Sequence, residues 1–399
     1  MSVCRCSGNV KEKVYIMKFV LYTNSCSAHQ LPLSRELVKQ LGSENFQYVY
    51  TDDSQHQRSQ VVDANEEWVT KDRSDVENCD VLLIGGLRPI DVMLRRSKTR
   101  KQTLYMSERW FKPPFGMFRL LYPKYFIMAW QVVKLIRNSP SFFYLPIGIH
   151  AARDMARLCG LLYGDFRCLF KSPELAFEKK PCGKIWIKSK SRNTQNIQKY
   201  CLDKMWMWGY FVEPSLYDSC KVQQPTDGER KIKVLWVGRL LEWKRVDTIV
   251  RAVREHAKLK NANDTLPKIT LDIYGTGPEE ERLKKMACGY EELIKFYPPV
   301  PIANVRKLMQ EHDVYVFSSN ACEGWGAVVS EALEEGMKII GTYEAGSCAT
   351  ILPKENLFHV GDWKFLLRLL QNPIQTIKNN TWTARVASEA ILNLNMKKK

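Results

Sequence analysis

From residue 232 to residue 360 the chain repeats one pattern. A short apolar run is followed by glycine or polar turn residues, and then by a stretch with helical spacing. The apolar runs predict strands over 232–237, 269–274, 293–296, 314–318, 338–342 and 357–360. Val246, Ile249, Val250, Val253 and Ala257 recur at helical spacing from about residue 245. Further helices fit 303–311, 326–335 and 362–371. Strands alternating with helices of this length imply βαβ units, a parallel sheet and right-handed crossovers.

The amino-terminal half keeps the rhythm less cleanly. Strands are predicted at 18–22, 47–51, 81–85, 103–107 and 142–145. A helix is predicted over 31–41, with Ser34 and Gly42 near its ends. Residues 52–78 are polar and acidic and read as a loop plus a short helix. A length of 399 residues exceeds what one core usually serves. The expected fold is therefore α/β, with two parallel-sheet domains facing a cleft that ligands enter beyond the carboxyl ends of the strands. The divisions are a flexible leader over 1–16, a first domain over 17–215, and a linker over 216–230. A second domain over 231–372 follows, then a helical tail over 373–399 that packs back on the amino-terminal domain. The leader lacks the apolar stretch of a signal peptide, and Met17 opens the first predicted strand.

Charge separates the two halves. The chain carries 60 Lys and Arg against 43 Asp and Glu, net +17. Residues 95–200 hold 22 basic and 5 acidic residues, so this block alone accounts for the excess. Such density predicts an anionic partner; Lys98, Arg100 and Lys101 form one basic cluster within it. The stretch 117–136 is apolar but contains Arg119, Lys124 and Lys134 and is broken by Pro123. It is too interrupted to span a bilayer. It suits an interfacial segment or a core helix with snorkelling cations equally well. The 12 cysteines contain no C-x-x-C pair and no zinc-ligand spacing, which favours reduced, buried thiols.

Three loops carry the chemistry. Gly238-Arg239 and Lys244-Arg245 lie between a strand and a helix, where amides and cations suit a diphosphate. Tyr274-Gly275-Thr276-Gly277-Pro278 is a glycine turn after a strand; Glu280 stands where the dinucleotide fingerprint needs a third glycine. The third loop runs from Ser318 through Glu323-Gly324-Trp325-Gly326 to Glu331. Its glycines allow close backbone approach at a helix start. Its two carboxylates are eight positions apart, about two helical turns. In the first half, His29, Glu108, Arg109 and His150 fall at or just after strand ends and are candidates to face the cleft. A solvated loop histidine is the competing reading for His29, and a structural role for His150, which ranks lower.

These loops, in this order and spacing, resemble those of glycosyltransferase family 4, the group 1 retaining enzymes of GT-B fold. The runs Gly336 to Thr342, Ala345-Gly346-Ser347 and Asn356 to Asp362 extend the resemblance over roughly 230–370. It implies that Arg239 and Lys244 hold the nucleotide diphosphate and that Glu331 binds the ribose hydroxyls. It also implies that Glu323 contacts the donor sugar, with the amides around Gly324, Trp325 and Gly326. Gly238, Gly275 and Gly277 would line the donor site, and the base would lie near 297–300. No metal and no cofactor are expected. The donor would be a UDP- or GDP-linked sugar. The acceptor would be a lipid-linked saccharide or a polysaccharide at the cytoplasmic face of an anionic membrane, in capsule, O-antigen or exopolysaccharide synthesis. The sequence departs from the family pattern at Met337-Lys338 and after Gly346, where the usual acidic residue is replaced by Ser347-Cys348-Ala349-Thr350.

Two other classes compete. A basic nucleic-acid-binding protein fits the charge, but no recognised binding module is visible and no nucleic acid partner is expected. A catalytically silent sugar-nucleotide-binding relative would not need Glu323, Glu331, Arg239 and Lys244 together. There is no D-x-D, P-loop, HExxH or G-x-S-x-G.

Overall fold

The computed structural model describes residues 17–51, 65–99, 101–162, 164–188, 192–215, 230–373 and 382–396. The leader over 1–16 and nearly all of the linker over 216–230 lie outside the described residues.

The amino-terminal domain begins with β1 (Phe19–Thr23), α1 (Leu31–Leu41), β2 (Phe46–Tyr50), β3 (Val69–Thr70) and β4 (Val81–Gly85). It continues with α2 (Ile90–Ser97), β5 (Gln102–Ser107), α3 (Pro123–Asn138), β6 (Phe142–Pro146) and α4 (Ile149–Leu162). Its six parallel strands run β3-β2-β1-β4-β5-β6. The central strand β1 is buried along its whole length, as a parallel strand covered on both faces must be. The short helix expected within 52–78 does not occur in its described part, 65–78, which forms turns around β3. Pro123 divides the 117–136 segment into a 3-10 turn, Gly116–Leu121, and a helix that starts at the proline itself. That is where a fixed φ and a missing amide cost nothing.

An unanticipated antiparallel sheet closes this half. It consists of β7 (Leu175–Phe177), β8 (Gly183–Ile187) and, after α5 (Arg192–Tyr200), β9 (Trp206–Met207). Its strands are too short to show a period in the sequence.

The carboxyl-terminal domain holds β10 (Lys231–Val237), α6 (Val246–Ala262), β11 (Lys268–Tyr274), α7 (Glu280–Ala287), β12 (Ile294–Tyr297) and α8 (Ile302–Gln310). Next come β13 (Val314–Phe317), α9 (Val328–Glu334), β14 (Lys338–Thr342), α10 (Gly346–Ile351), β15 (Leu357–Phe358) and α11 (Trp363–Gln371). The strand order, β12-β11-β10-β13-β14-β15, repeats that of the first sheet. Both sheets are thus doubly wound, with a switch point between the first and fourth strands of each. The last helix, α12 (Ala384–Met396), packs on α1, where Gln40 Nε2 donates to Ser388 Oγ at 2.5 Å.

Strand alternation divides the apolar residues of the second sheet between two cores. Val234 and Trp236 of β10, with Val314 and Val316 of β13, pack under α6 and α11. Leu235, Tyr315 and Phe317 point the other way, into a core continuous with that of the amino-terminal domain. The side-chain period of two assigns each neighbour to an opposite face. Among the described residues no helix is long and apolar enough to cross a membrane.

Candidate active site in the cleft

The loops leaving β10 and β13 meet at the switch point of the second sheet. The loop 238–245 is fastened to the turn 274–279. The Gly238 amide donates to the Tyr274 carbonyl at 3.0 Å, that of Leu240 to Thr276 at 2.9 Å, and that of Glu279 to Leu240 at 3.1 Å. This approach requires glycine: a Cβ on Gly275, whose φ is +147°, would lie 1.8 Å from the Gly238 carbonyl oxygen. One on Gly277 would lie 2.4 Å from the Leu240 oxygen.

Lys244 reaches across to the loop after β13, where its ammonium pairs with Glu323 Oε2. It also lies over the Trp243 ring, 4.3 Å from the centroid. Ser319 Oγ donates to the same carboxylate oxygen at 3.2 Å. The two loops are further joined by the Asn320 amide on the Trp243 carbonyl at 2.8 Å and Ser318 Oγ on the Lys244 carbonyl at 2.7 Å. Arg239 is exposed, and its guanidinium makes no hydrogen bond or ion pair among the described residues. From Gly324 to Val328, five successive backbone amides donate to no acceptor among the described residues. A row of free amides beside the Lys244 ammonium is an arrangement that accepts phosphate oxygens.

Glu331 lies on α9, half-buried. Desolvation lifts its carboxyl above the usual range; Arg306 opposes the rise and Glu335 adds to it. Arg306 also clamps Glu335 and donates to the Glu213 and Pro214 carbonyls at 2.9 and 3.2 Å. The crossover between the domains is thereby tied to α8. Tyr274 and Tyr297, at the carboxyl ends of β11 and β12, stack with centroids 4.5 Å apart and planes 13° apart. The Trp325 indole is buried against Gly209 and Trp382, so that residue offers the cleft its backbone alone.

On the opposite wall, His29 stacks on Tyr210 at 6.1 Å. The Tyr210 hydroxyl donates to Glu108 Oε1 at 3.1 Å, and Lys112 Nζ lies 2.5 Å from Glu108 Oε2. A Cβ on Gly324 would fall 2.3 Å from that carboxylate, so Glu108 sits directly against the amide row. Tyr210 and Lys112 escaped the sequence reading. Lys112 stands four positions after Glu108, a spacing that could have drawn notice; Tyr210 is 102 residues away and left no local signal.

Arg109 and His150 have other partners. Arg109 meets the buried Asp154 through two nitrogens at 3.3 Å. His150 Nε2 donates to the Tyr343 carbonyl at 2.7 Å, and its Nδ1 accepts from Arg153 at 3.3 Å. Burial pulls the His150 pKa down to about 4, with Arg109 and Arg153 adding to the effect and the Tyr343 bond opposing it. Protonation would remove the Nδ1 acceptor and set a second cation beside Arg153. The neutral ring therefore stabilises the fold above the unfolded pKa of about 6.5, and that contribution is lost as pH falls toward 4. Wild-type protein should lose roughly 3 kcal/mol over this window through His150. His150→Gln should flatten the corresponding slope in urea melts taken between those pH values; an unchanged slope would count against this assignment.

Among the described residues no group of three His, Cys, Asp or Glu side chains is placed to hold a metal ion. Nine cysteines among the described residues are free thiols, six of them buried.

The two doubly wound sheets and the loops between them define a GT-B frame. It is shared with a structure of Anabaena HepE in complex with UDP, at TM-score 0.52 and 15% identity over 95% of each chain. It is also shared with the lipopolysaccharide outer core galactosyltransferase WaaB, at TM-score 0.50 and 12% identity, covering 96% of this chain and 100% of the other. Residues 221–374 match the family described as glycosyl transferases group 1. The GtfA subunit of a UDP-N-acetylglucosamine–peptide N-acetylglucosaminyltransferase from Streptococcus agalactiae is 31% identical over 141 residues, 33% of this chain and 25% of its own length. An uncharacterized glycosyltransferase of Methanocaldococcus jannaschii is 30% identical over 129 residues, 32% of each chain. The match thus spans only a quarter of the length of the streptococcal protein. The match to the group 1 glycosyltransferases lies in the carboxyl-terminal half of the chain, and the amino-terminal half shares the GT-B frame alone.

Proposed function

We propose that the protein is a retaining glycosyltransferase that moves a sugar from a UDP-linked donor to a lipid-linked saccharide at the cytoplasmic face of a membrane. The observation that carries this reading is the row of free amides from Gly324 to Val328, bordered by the Lys244–Glu323 pair. Residues 231–372 would take the donor and residues 17–215 the acceptor. UDP is favoured over GDP because the streptococcal relatives are named for a UDP-linked donor.

Arg239, Lys244 and the amides would hold the diphosphate and offset the charge that grows on it as the glycosidic C1–O bond breaks. Arg239 is free to do so; Lys244 would exchange part of its Glu323 contact. Glu331 would accept hydrogen bonds from two ribose hydroxyls. Glu323 would orient the sugar hydroxyls, and Glu108 would meet the acceptor from the opposite wall. The acceptor oxygen forms its new bond to C1 on the face the diphosphate leaves, and its proton passes to the departing phosphate oxygen. The protein's part is positioning and electrostatic stabilisation.

Incubation with radiolabelled UDP-, GDP- and ADP-sugars and a membrane extract tests this. Transfer from a UDP-sugar is expected, and consumption of none of them would refute it. Glu331→Ala should raise the donor KM by about 10–100-fold, the worth of hydrogen bonds to a charged acceptor. A fully active variant would remove Glu331 from the site.

A further inference from the structure

Glu335, the residue that ends α9, is a carboxylate with no exposed side-chain surface. Arg306 of α8 donates to its Oε1 at 2.5 Å, Gln310 donates to its Oε2, and Ser215 Oγ donates to Oε2 at 2.7 Å. A buried ion pair of this kind adds little net stability over apolar side chains of the same volume. Nor does α8 need the charge to seat itself, since Val305 and Met309 already bury its apolar side. The arrangement is better explained by what it holds in place.

Arg306 stands at its centre. Its Nη1 donates to the Glu213 and Pro214 carbonyls at 2.9 and 3.2 Å while its Nε holds Glu335. A planar guanidinium serves both partners in one fixed geometry, where an ammonium cannot. The Glu213 carboxylate accepts in turn from Arg35 of α1 at 2.5 Å. A line of contacts thus runs from the first domain through residues 213–215 to α8 and the end of α9.

Glu331 sits one turn earlier on the same helix, and the Glu335 amide donates to its carbonyl at 3.1 Å. Residues four apart lie on one helix face, so the two carboxylates share a side. The charged and titratable groups around Glu331 are Arg306 from α8, Glu335 from the helix end and Tyr315 from β13. Arg306 attracts the carboxylate and Glu335 repels it. Burial pushes the Tyr315 phenol up, so it stays neutral, and its hydroxyl donates to the Val237 carbonyl at 3.3 Å. The geometry points to Arg306 as a positioning residue for donor binding: it pins the turn that carries Glu331 to the crossover between the domains and so sets where that carboxylate meets the ribose. This rests on the ribose role proposed for Glu331. Arg306 itself touches no part of the donor in that reading; its effect passes through α9.

A pair of nucleotides isolates the effect. Dideoxy-UDP, with hydrogen at both ribose hydroxyl positions, lacks the groups that Glu331 would bind. The ratio of its Kd to that of UDP therefore measures that contact, while base and phosphate contributions cancel. Calorimetric titration of the wild-type full chain should give a ratio of about 10 or more, the worth of hydrogen bonds to a charged acceptor. Arg306→Lys keeps a cation beside the buried Glu335, and so keeps the fold, but loses the guanidinium fork; it should lower the ratio about threefold or more. Arg306→Gln/Glu335→Gln removes both charges and should bring the ratio to about 1–3. An affinity that falls equally for the two nucleotides would show a merely structural role and overturn the assignment. So would unchanged binding of both by Arg306→Lys. Hydrogen exchange in peptides covering 205–215, read without nucleotide, should quicken in Arg306→Lys; unchanged exchange would overturn the clamp whatever binds. Wild type that binds no UDP, or binds both nucleotides alike, would instead strike the proposed donor site and leave the exchange result to decide the clamp.

Discussion

Lys244→Ala should lower kcat with a UDP-sugar by about 10²–10³-fold, the usual loss when one preorganised stabiliser of developing charge is removed. The donor KM should change much less, because most of that interaction is realised only as the leaving group gains charge. Lys244 also pairs with Glu323, so its removal strands a partly buried carboxylate, and a lower rate alone would be ambiguous. The double variant Lys244→Ala/Glu323→Ala separates the two effects. If Lys244 acts on the diphosphate, the double variant stays at least as slow as the single. Recovery of turnover would show that Lys244 does no more than neutralise Glu323.

Gly275→Ala should cost about 3 kcal/mol or more of stability, combining a backbone collision with a strained φ. The new Cβ would lie 1.8 Å from the Gly238 carbonyl oxygen, a backbone atom that has no rotamer by which to yield. Urea denaturation reads the loss. The same change pushes the turn 274–279 away from the loop that carries Arg239 and Lys244, so UDP should stabilise the variant less than it stabilises wild type. A variant of ordinary stability with undiminished UDP protection would mean that the two loops need not touch.

The second domain was readable in the sequence because its strands carry apolar runs and its turns carry glycine. The predicted strand over 338–342 coincides with β14, and 269–274 falls one residue short of β11. The first domain was less legible. Its β7–β9 sheet consists of strands of two to five residues, too short for a period to emerge. The sequence left α3 between an interfacial segment and a core helix, because apolar residues on both its faces erase the contrast that marks an amphipathic helix. In the cleft, sequence spacing located Glu323, Lys244 and Glu331. It could not foresee that the first two bind each other, since their loops leave strands 79 residues apart in the chain. Nor could it tell that Arg109 and His150 are held by Asp154 and Tyr343, since a partner distant in sequence leaves no mark beside the residue it holds.

The core that runs unbroken from one domain into the other restricts how the molecule can open. Along its border, the Ile149 amide donates to Thr350 Oγ1 at 3.0 Å, His150 to the Tyr343 carbonyl, and Lys179 to the Leu352 carbonyl at 2.9 Å. Separating the domains there would wet apolar side chains and strand buried donors together. On the Glu108 side the facing surfaces are a carboxylate and a run of bare peptide nitrogens, joined by a long 3.5 Å bond from Arg109 to the Ala321 carbonyl, and water solvates such groups readily. Any parting of the two domains is therefore expected at the edge beside Glu108, with the border along α4 and α10 as its spine.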